Sequence, residues 1–409
     1  MKFDQQLKID NMLEVVGGTY LERCLYPEWD ALFGSGLRAA LAVRTLGAEA
    51  TLHTYVSGID LPALKARTVV GGIKIHPHEV KRTVAFEYFH GLSTPVITPP
   101  PHVITKAKPI KLTAANVLQY GFIEGDAIVH GESVVYDPQS PQQPVLFNGN
   151  GSTAGRLAIV CNRTEGRLLT NERNPRQMAD ALIKSQGCEA VVVKCGSHGC
   201  FVSEGGSTSE IPAFRTDHVW PIGSGDVFAA VFAKSWAVDR FSAFDAAELA
   251  SKATAFFCNT KSLDFPPDFP SSFKFPPIHP KFGTKSVYLA GPFFSMSQNW
   301  LIEQAYEALR GQGLTVFSPL HHVGRGSASE VYEKDIKGLE NCDIVFACCD
   351  GLDSGTVFEV GYAIAQKKPV VVFVQNETPE DLKMFEGSQC VMERDFVTAI
   401  YKTYWLATT

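Results

Sequence analysis

The stretch Asp353-Ser354-Gly355-Thr356-Val357-Phe358-Glu359-Val360-Gly361-Tyr362-Ala363 follows a short apolar run, Ile344-Val345-Phe346-Ala347. The apolar run predicts a buried strand, and the spacing of apolar side chains after Gly355 predicts a helix. On this helix the carboxylates of Asp353 and Glu359 stand about a turn and a half apart, around a glycine. The region therefore predicts a strand–helix unit with acidic side chains near the end of the strand.

Apolar strands alternate with helical segments along the rest of the chain, which predicts an α/β fold with parallel-rich sheets and helices on both faces. Folds of this class bind ligands at the carboxyl ends of their strands. The predicted strands are Leu157–Val160 and Ala190–Val193 upstream, and Val287–Leu289, Thr315–Phe317, Ile344–Phe346 and Val370–Phe373 downstream.

The bulk properties set the class of protein. A chain of 409 residues predicts two domains. A net charge of −6 argues against a nucleic-acid partner that is bound through phosphates. No apolar run approaches membrane-spanning length, the start of the chain has no apolar signal core, and the ten cysteines are scattered. These features predict a cytoplasmic protein with reduced thiols and no membrane contact.

The clearest boundary is the segment Asp264–Pro280, which has six prolines and four phenylalanines. Such a segment cannot form a helix or an inner strand. It predicts a stiff strap whose rings pack on one or both domains, and a disordered linker is the alternative. The predicted domains are residues 1–262 and 284–409, joined by a linker over residues 263–283.

The second domain has the residues for cleavage of an N-glycosidic bond. This reaction builds positive charge on the sugar, which a carboxylate can stabilise or capture, and an acid must protonate the departing base. Glu359 is the candidate nucleophile because it lies in the first turns of its helix. Tyr288, in Tyr288-Leu289-Ala290-Gly291-Pro292-Phe293-Phe294, can orient it through the phenolic hydroxyl.

Residues 284–409 resemble the nucleoside 2-deoxyribosyltransferase family through the Tyr288–Phe294 stretch, Asp335 with Asp343, and the Asp353–Ala363 stretch. The resemblance implies a smaller flavodoxin-like or Rossmann-like domain that needs no cofactor and forms homo-oligomers. It gives Glu359 the attack on C1′, Tyr288 the orientation of Glu359, and Asp335 a place facing the base. The substrate-binding residues that it implies are Asp353, at the 5′-hydroxyl, with Gly291, Pro292, Phe293, Ser354 and Gly355.

Asp353 helps to predict whether the ligand carries a 5′-phosphate. A related branch that hydrolyses deoxynucleoside 5′-monophosphates has serine at this position, and a carboxylate there would repel a phosphate. Asp353 therefore favours a free nucleoside, whereas Ser354 and Arg325 keep a phosphate possible. The sequence leaves transfer and hydrolysis equally open.

The first domain has a second signature, Gly223-Ser224-Gly225-Asp226, followed by the apolar helix pattern Val227–Val238. Glycines that open a helix offer backbone N–H groups to an anion. An aspartate at that position can take a proton from an attacking hydroxyl, as phosphoryl transfer requires.

Residues 12–262 resemble the ribokinase (PfkB-type) family, which implies a parallel-rich sheet, a small β lid from the 50–110 region, and ATP with Mg²⁺ as cofactors. In this resemblance Asp226 is the catalytic base and Glu22 touches the acceptor sugar. The predicted lid includes a strand at Thr83–Phe89 and a loop at Pro95–Pro101. The other implied residues are Gly34 and Arg38 for the acceptor, Gly223, Ser224 and Gly225 for the anion hole, Asn162 and Glu165 for the magnesium network, and Lys194, Gly196 and Gly199 for the nucleotide.

Several positions depart from the family pattern. Trp220-Pro221 replaces an Asp-Thr pair, Lys194 replaces a threonine, and Arg38 replaces an asparagine. Arg38 can favour an acidic acceptor, or it can simply pair with Glu22 or Asp30. Two hypotheses follow. The chain is a bifunctional enzyme that cleaves or transfers a nucleoside bond and phosphorylates a sugar or nucleoside, or its first domain is a non-catalytic ligand sensor that controls an N-glycosidase.

Overall fold

The computed structural model describes residues 11–140, 143–279, 285–324 and 326–408. The chain forms two compact units, Met1–Pro277 and Ile278–Thr409. Arg325 and residues 280–283 of the predicted linker lie outside the described residues.

The first unit is built on a nine-stranded sheet in the order β13-β12-β11-β10-β9-β8-β1-β4-β5. All neighbouring strands from β11 to β5 run parallel, and β12 is antiparallel to both of its neighbours. The strands of this unit are β1 (Met12–Val16), β2 (Leu21–Tyr26), β3 (Trp29–Leu32), β4 (Glu49–Ser57), β5 (Lys74–Val80), β6 (Ala85–His90), β7 (Val96–Thr98), β8 (Ile110–Tyr120), β9 (Ala127–Asp137), β10 (Thr153–Asn162), β11 (Ala190–Lys194), β12 (Cys200–Glu204) and β13 (Ser207–Ile211).

Helices cover both faces of this sheet. One face is covered by helices rich in alanine, which lets them pack closely on the strands and on each other. The opposite face buries Met178 and Leu182 of another helix against the other side of the same strands. The helices of the first unit are Gly34–Thr45, Leu61–Val70, Arg163–Thr170, Pro175–Gln186, Ser224–Ala233 and Ala243–Thr260, and a π-helical turn, Lys234–Val238, continues the fifth.

A second, four-stranded sheet of the first unit has the order β3-β2-β6-β7. The lid prediction is wrong in part, because only β6 and β7 come from the 50–110 region, whereas β2 and β3 lie at residues 21–32. The strand predicted at Thr83–Phe89 is β6, Ala85–His90. The loop prediction for Pro95–Pro101 is wrong in part, because Val96–Thr98 forms β7 and pairs antiparallel with β6. Its three β-branched residues favour an extended edge strand, although prolines flank it closely.

The proline- and phenylalanine-rich segment packs on the first unit. Phe265 contacts Phe256, with ring centroids 5.3 Å apart, and Phe273 meets Phe214 edge to face at 4.8 Å. The amide of Arg215 also donates to the carbonyl of Pro276. The aromatic rings therefore anchor the segment, as a strap requires.

The second unit has one parallel sheet in the order β15-β14-β16-β17-β18. This is the flavodoxin-like strand order, and its topological switch point lies between the first and third strands in sequence, β14 and β16. The strands are β14 (Ser286–Ala290), β15 (Thr315–Phe317), β16 (Ile344–Cys348), β17 (Val370–Phe373) and β18 (Val391–Glu393). The helices are Met296–Gly311, Pro319–His322, Ala328–Asn341, Ser354–Ala365, Lys383–Gly387 and Phe396–Thr408.

Two further features complete the fold. None of the ten cysteines, all of which lie among the described residues, forms a disulfide bond. In the part of the chain that the structure describes, no helix is long and apolar enough to cross a membrane.

Candidate functional sites

The candidate site of the second unit lies at the switch point between β14 and β16. Tyr288 of β14 is fully buried, and its hydroxyl donates a 2.6 Å hydrogen bond to Oε1 of Glu359. Glu359 lies in the second turn of the helix Ser354–Ala365, which follows β16. The structure thus brings together the predicted nucleophile and the tyrosine predicted to orient it.

The pKa of the Glu359 carboxyl group is raised above its ordinary value. Burial raises its pKa to about 7, with smaller contributions from the charges of Asp335 and Asp353, while the hydrogen bond from Tyr288 lowers it. Burial and the Glu359 charge raise the pKa of Tyr288 far above its usual value, so the phenol keeps its proton and remains a donor. At neutral pH the site therefore holds a carboxylate that is only about half ionised.

Asp335 adds a second acidic group with a different environment. It lies on the helix Ala328–Asn341, and burial raises its pKa to about 6. Within the described residues, its Oδ1 atom is buried and has no hydrogen-bond partner. An unpartnered buried carboxyl oxygen costs free energy, so its position favours a partner that arrives with a ligand.

A column of stacked rings holds Tyr288 in place. Phe317 of β15 stacks on Tyr288 with a centroid distance of 5.6 Å, and His322 stacks on the other side of Phe317 at 5.0 Å. Gly338, on the helix that carries Asp335, leaves room for Phe317, because a Cβ atom at this position would lie 2.3 Å from its ring. Packing therefore fixes the tyrosine ring independently of its hydrogen bond.

Asp353 caps the helix that carries Glu359. Its Oδ2 atom accepts hydrogen bonds from the backbone N–H and the hydroxyl of Thr356, at 2.9 and 3.1 Å. This satisfies a free N–H group at the helix start and fixes the carboxylate near the nucleophile. Ser354 and Gly355 are exposed beside it.

The turn after β14 contains the other predicted substrate-binding residues, Gly291, Pro292 and Phe293. Gly291 is required by close packing, because a Cβ atom there would lie 2.5 Å from the side chain of Ile302. The side-chain amide of Asn299 donates to the carbonyl of Phe293 at 3.0 Å and so fixes the turn.

Asp343 has a structural role. Its carboxylate accepts hydrogen bonds from the backbone N–H and hydroxyl of Ser286, at 2.8 and 2.9 Å. These contacts join the starts of β14 and β16, at the edge of the sheet opposite the carboxyl ends. Asp343 therefore stabilises the sheet at the edge opposite the candidate site.

The candidate site of the first unit is organised by Arg38, which is 1% exposed. Its guanidinium donates to both oxygens of Glu22 and, at 2.7 Å, to Oδ2 of Asp226. The predicted acceptor-binding acid and the predicted catalytic base are therefore joined by one buried arginine. Pairing with Glu22 agrees with the simpler of the two interpretations of Arg38, and the contact with Asp226 was not predicted.

Arg38 also lies against the glycine-rich helix start. Gly223 has a left-handed backbone, with φ +82°, and a Cβ atom there would lie 2.2 Å from Cζ of Arg38. The ring of Phe33 packs 5.0 Å from the same Cζ atom. The backbone N–H of Gly34 donates to Glu22 at 3.0 Å. The guanidinium thus occupies the space between Glu22 and the opening of the helix Ser224–Ala233.

A cavity of about 260 Å³ adjoins this ion-pair network. Ser35 lines it, and the buried Oγ atom of this serine has no hydrogen-bond partner among the described residues. Gln139 donates to Oδ1 of Asp226 at 2.5 Å. The remaining lining includes the aromatic rings of Tyr20, Phe86 and Tyr88, and the acidic residues Glu22, Glu165 and Asp226.

The predicted magnesium-network residues, Asn162 and Glu165, cap the start of a helix. The side chain of Asn162 accepts from the N–H of Glu165 at 2.9 Å, and Glu165 accepts from the N–H of Asn162 at 2.8 Å. This reciprocal capping box begins the helix Arg163–Thr170. Lys194, at the end of β11, contacts Oδ2 of Asp137 at 2.5 Å.

Gly196 and Gly199 form the turn after β11, and both have left-handed backbones. The requirement is strict at Gly199, because a Cβ atom there would lie 2.0 Å from the carbonyl oxygen of Ile211. The structure therefore explains these predicted nucleotide-binding glycines by turn geometry and close packing.

The sequence analysis missed Asp137, Gln139 and Glu124. Asp137 pairs with Lys194, Gln139 contacts Asp226, and Glu124 accepts a 3.0 Å hydrogen bond from buried Tyr20. Burial raises the pKa of Glu124 to about 7. The available signal was that polar residues directly follow the apolar run Val134–Tyr136, since carboxyl ends of parallel strands carry sites.

Comparison with known protein families finds one match in each unit of the chain. Residues 133–268 match the model of the pfkB family carbohydrate kinases, and residues 287–393 match the model of the nucleoside 2-deoxyribosyltransferases. Each match covers less than half of the chain, so the chain has one segment similar to each family. Both are enzyme families.

The first unit, with its nine-stranded mostly parallel sheet and β lid, has the ribokinase-like α/β fold that the sequence predicted, and the second unit is a separate, smaller parallel α/β domain.

One curated relative is an uncharacterised protein of Ureaplasma parvum serovar 3, which is 32% identical over 98 residues. The match covers 20% of this chain, and the chain spans 62% of the length of that relative.

Solved structures similar to the chain include a fructokinase from Vibrio cholerae O395 with fructose, ADP and calcium ion bound (14% identity, 63% of this chain, 95% of that chain, TM-score 0.47). A nucleoside kinase of the ribokinase family from Methanocaldococcus jannaschii matches with 15% identity over 62% of this chain and 93% of that chain, at a TM-score of 0.47. A ribokinase from Thermotoga maritima matches with 16% identity over 62% and 94%, at a TM-score of 0.46.

Proposed function

We propose that this chain cleaves or transfers the N-glycosidic bond of (deoxy)nucleosides in its second domain, with Glu359 as nucleophile. The observation that carries this proposal is the 2.6 Å hydrogen bond from buried Tyr288 to Glu359. It holds one carboxylate oxygen and leaves the other free to approach an anomeric carbon.

The reaction has two steps. Glu359 forms a bond to C1′ while the C1′–N bond breaks and its electron pair leaves with the base, which takes a proton from Asp335. Water or a second base then attacks C1′ and gives its proton to the carboxylate of Asp335, while the bond from C1′ to Glu359 breaks and releases the Glu359 carboxylate. The raised pKa of Asp335, about 6, lets it hold a proton closer to neutral pH than an ordinary aspartate.

Replacement of Tyr288 by phenylalanine tests the orientation of the nucleophile. The hydrogen bond lowers the pKa of Glu359, so its loss raises that pKa further above its ordinary value. Less carboxylate is then ionised at low pH, and the acidic limb of the pH–rate profile moves to higher pH. We expect base release at pH 6 to fall about tenfold or more, from the loss of a hydrogen bond to a charged group.

Tyr362→Phe is the matched control. Tyr362 lies on the helix that carries Glu359 and donates an equally short 2.6 Å hydrogen bond to Glu340, but it does so at the protein surface. Its pH profile is expected to match the wild type. Identical profiles for wild type and Tyr288→Phe would contradict the orienting role.

The position of Asp353 predicts that free nucleosides are better substrates than 5′-monophosphates. Asp353→Ser should narrow or invert this preference, changing the ratio of kcat/KM values by about tenfold or more, because a like charge is removed. Serine is also a good N-cap, so the helix start is retained.

Asp395→Ser is the control for Asp353→Ser. Asp395 caps the helix Phe396–Thr408 through the N–H and hydroxyl of Thr398, in the geometry that Asp353 shows with Thr356. An unchanged order of substrates in Asp353→Ser would remove the charge argument for a free nucleoside.

The first domain has two candidate functions. The pfkB match and the position of Asp226 at a glycine-opened helix support phosphorylation of a sugar or nucleoside with ATP and Mg²⁺. The buried Arg38–Asp226 ion pair favours the second candidate, because a catalytic base must be free to take a proton. We therefore favour a domain that binds a sugar, nucleoside or nucleotide without phosphoryl transfer and controls the second domain.

Incubation of the full chain with ATP and a panel of pentoses and nucleosides separates these candidates. We expect saturable binding of a panel member, measured by calorimetry, without production of ADP. Release of ADP that depends on one sugar or nucleoside, and that Asp226→Asn abolishes, would establish the kinase instead.

A further inference from the structure

Two buried acidic side chains lie at the carboxyl ends of neighbouring strands in the first unit. Asp137 ends β9 and is completely buried, and Glu165 follows β10 and is 4% exposed. Burial raises the pKa of both groups, that of Glu165 to about 7, and the charge of Asp137 adds to the rise at Glu165. Two carboxylates in such surroundings need a cation between or beside them.

Lys194 supplies that cation from the chain itself. It ends β11, directly beside Asn162 of β10 in the strand register, and its ammonium lies 2.5 Å from Oδ2 of Asp137. Burial would lower the pKa of Lys194, but the charges of Asp137 and Glu165 outweigh this effect and raise it. The ammonium is therefore charged, and its own charge opposes the rise in the pKa of both carboxyl groups.

The ammonium also reaches the glycine-opened helix. A Cβ atom on Gly225 would lie 3.5 Å from Nζ of Lys194. Gly225 lies in the first turn of the helix Ser224–Ala233, one residue before Asp226. Lys194 thus stands beside acidic side chains, where a hard divalent cation bound through oxygen ligands would be expected.

One side-chain oxygen of each of the other candidate ligands at this place, Asn162 and Glu165, is already engaged. Asn162 and Glu165 direct side-chain oxygens at each other's backbone N–H groups in the capping box. Among the described residues, no group of three or more histidine, cysteine, aspartate or glutamate side chains is arranged to hold a metal ion. The charged ammonium of Lys194 at Asp137 would repel a divalent cation, so the residues present do not fit the magnesium ion that the kinase resemblance implies.

We infer that the ammonium of Lys194 takes the place of a divalent cation between Asp137 and Glu165, so that the first domain binds its ligand without a metal. Such a site suits an uncharged ligand, such as a sugar or nucleoside, better than a metal–nucleotide complex. The adjoining cavity agrees, because it offers aromatic rings and the unpartnered hydroxyl of Ser35, while Arg38 is already neutralised by Glu22 and Asp226.

Lys194→Met tests this inference, with Mn²⁺ alone as the probe. Removal of the ammonium leaves two carboxylates, both available to a divalent cation at pH 8. We expect MnCl₂ to raise the melting temperature of the first-domain transition in full-length Lys194→Met by about 5 °C at saturation, and to leave the wild type unchanged. Lys184→Met, at an exposed helical lysine, should behave as the wild type.

Adding Glu165→Gln to Lys194→Met should abolish the response, because glutamine keeps the capping box but loses the charge. A Mn²⁺ response of Lys194→Met that survives Glu165→Gln, or no response at all, would overturn the inference.

The wild type provides a second test, which does not involve Lys194→Met. Saturable Mn²⁺ binding by wild type, measured by electron paramagnetic resonance and lost in Glu165→Gln, would also overturn the inference. These measurements involve neither a nucleoside nor ATP. Their outcome is therefore independent of the glycosidic reaction and of the test for phosphoryl transfer.

Discussion

Glu359→Ala should lose base release by on the order of 10⁴-fold, because the variant has no group to take up the sugar when the base departs. The loss should appear in kcat, with smaller changes in KM, since the nucleophile acts mainly in the transition state. Separation of free base from nucleoside by chromatography measures it directly. A panel of deoxynucleosides and ribonucleosides, with and without a second base, also distinguishes hydrolysis from transfer.

Glu333→Gln is the matched control, because Glu333 is an exposed glutamate in the same domain. It should retain full activity. Glu359→Ala should also keep its fold, since the only hydrogen bond described for this carboxylate is the one from Tyr288. Full base release by a folded Glu359→Ala protein would show that the nucleophile assignment is wrong.

The second large effect is expected on stability. Arg38→Met strands the carboxylates of Glu22 and Asp226 without their buried partner, and should lower the free energy of unfolding of the first unit by about 3–5 kcal/mol. The denaturant dependence of amide hydrogen exchange in peptides from residues 11–277 reports this unit separately.

Arg23→Met controls for the loss of an ion pair in itself. Arg23 also pairs with two acidic residues, Asp30 and Glu87, but its side chain is 47% exposed, and its loss should cost less than ~1 kcal/mol. Adding Glu22→Gln and Asp226→Asn to Arg38→Met should recover most of the stability, because the stranded charges are removed. Equal losses for Arg38→Met and Arg23→Met would contradict the account of Arg38 as a buried linker.

The strands and residue pairs that short local sequence patterns specify could be predicted from the sequence. The strands around Leu157–Val160 and Ile344–Phe346 were predicted because continuous apolar runs are typical of strands buried on both faces. The Tyr288–Glu359 pair was predicted as well, because each lies in a recognisable motif. The residues of the candidate site could be predicted where they lie within short sequence motifs.

Long-range pairing was harder to predict. Arg38 could be matched to Glu22, but Asp226 is 188 residues further along the chain, and nothing local selects it. Lys194 was a departure from a family pattern, and only the structure shows that it pairs with Asp137, which lies two strands away on β9. Charge compensation between distant strands is set by topology, which a single sequence specifies only weakly.

The missing side chain at position 338 links two parts of the second domain that sequence separates widely. Phe317 fills the space above this glycine and stacks on the ring that steadies the nucleophile. Even a methyl group at 338 would press on Phe317 and, through it, displace Tyr288 from Glu359. The stacked rings of Phe317 and Tyr288 therefore limit which substitutions are accepted on the helix that carries Asp335. A small change at position 338 can abolish base release although it alters no residue of the candidate site.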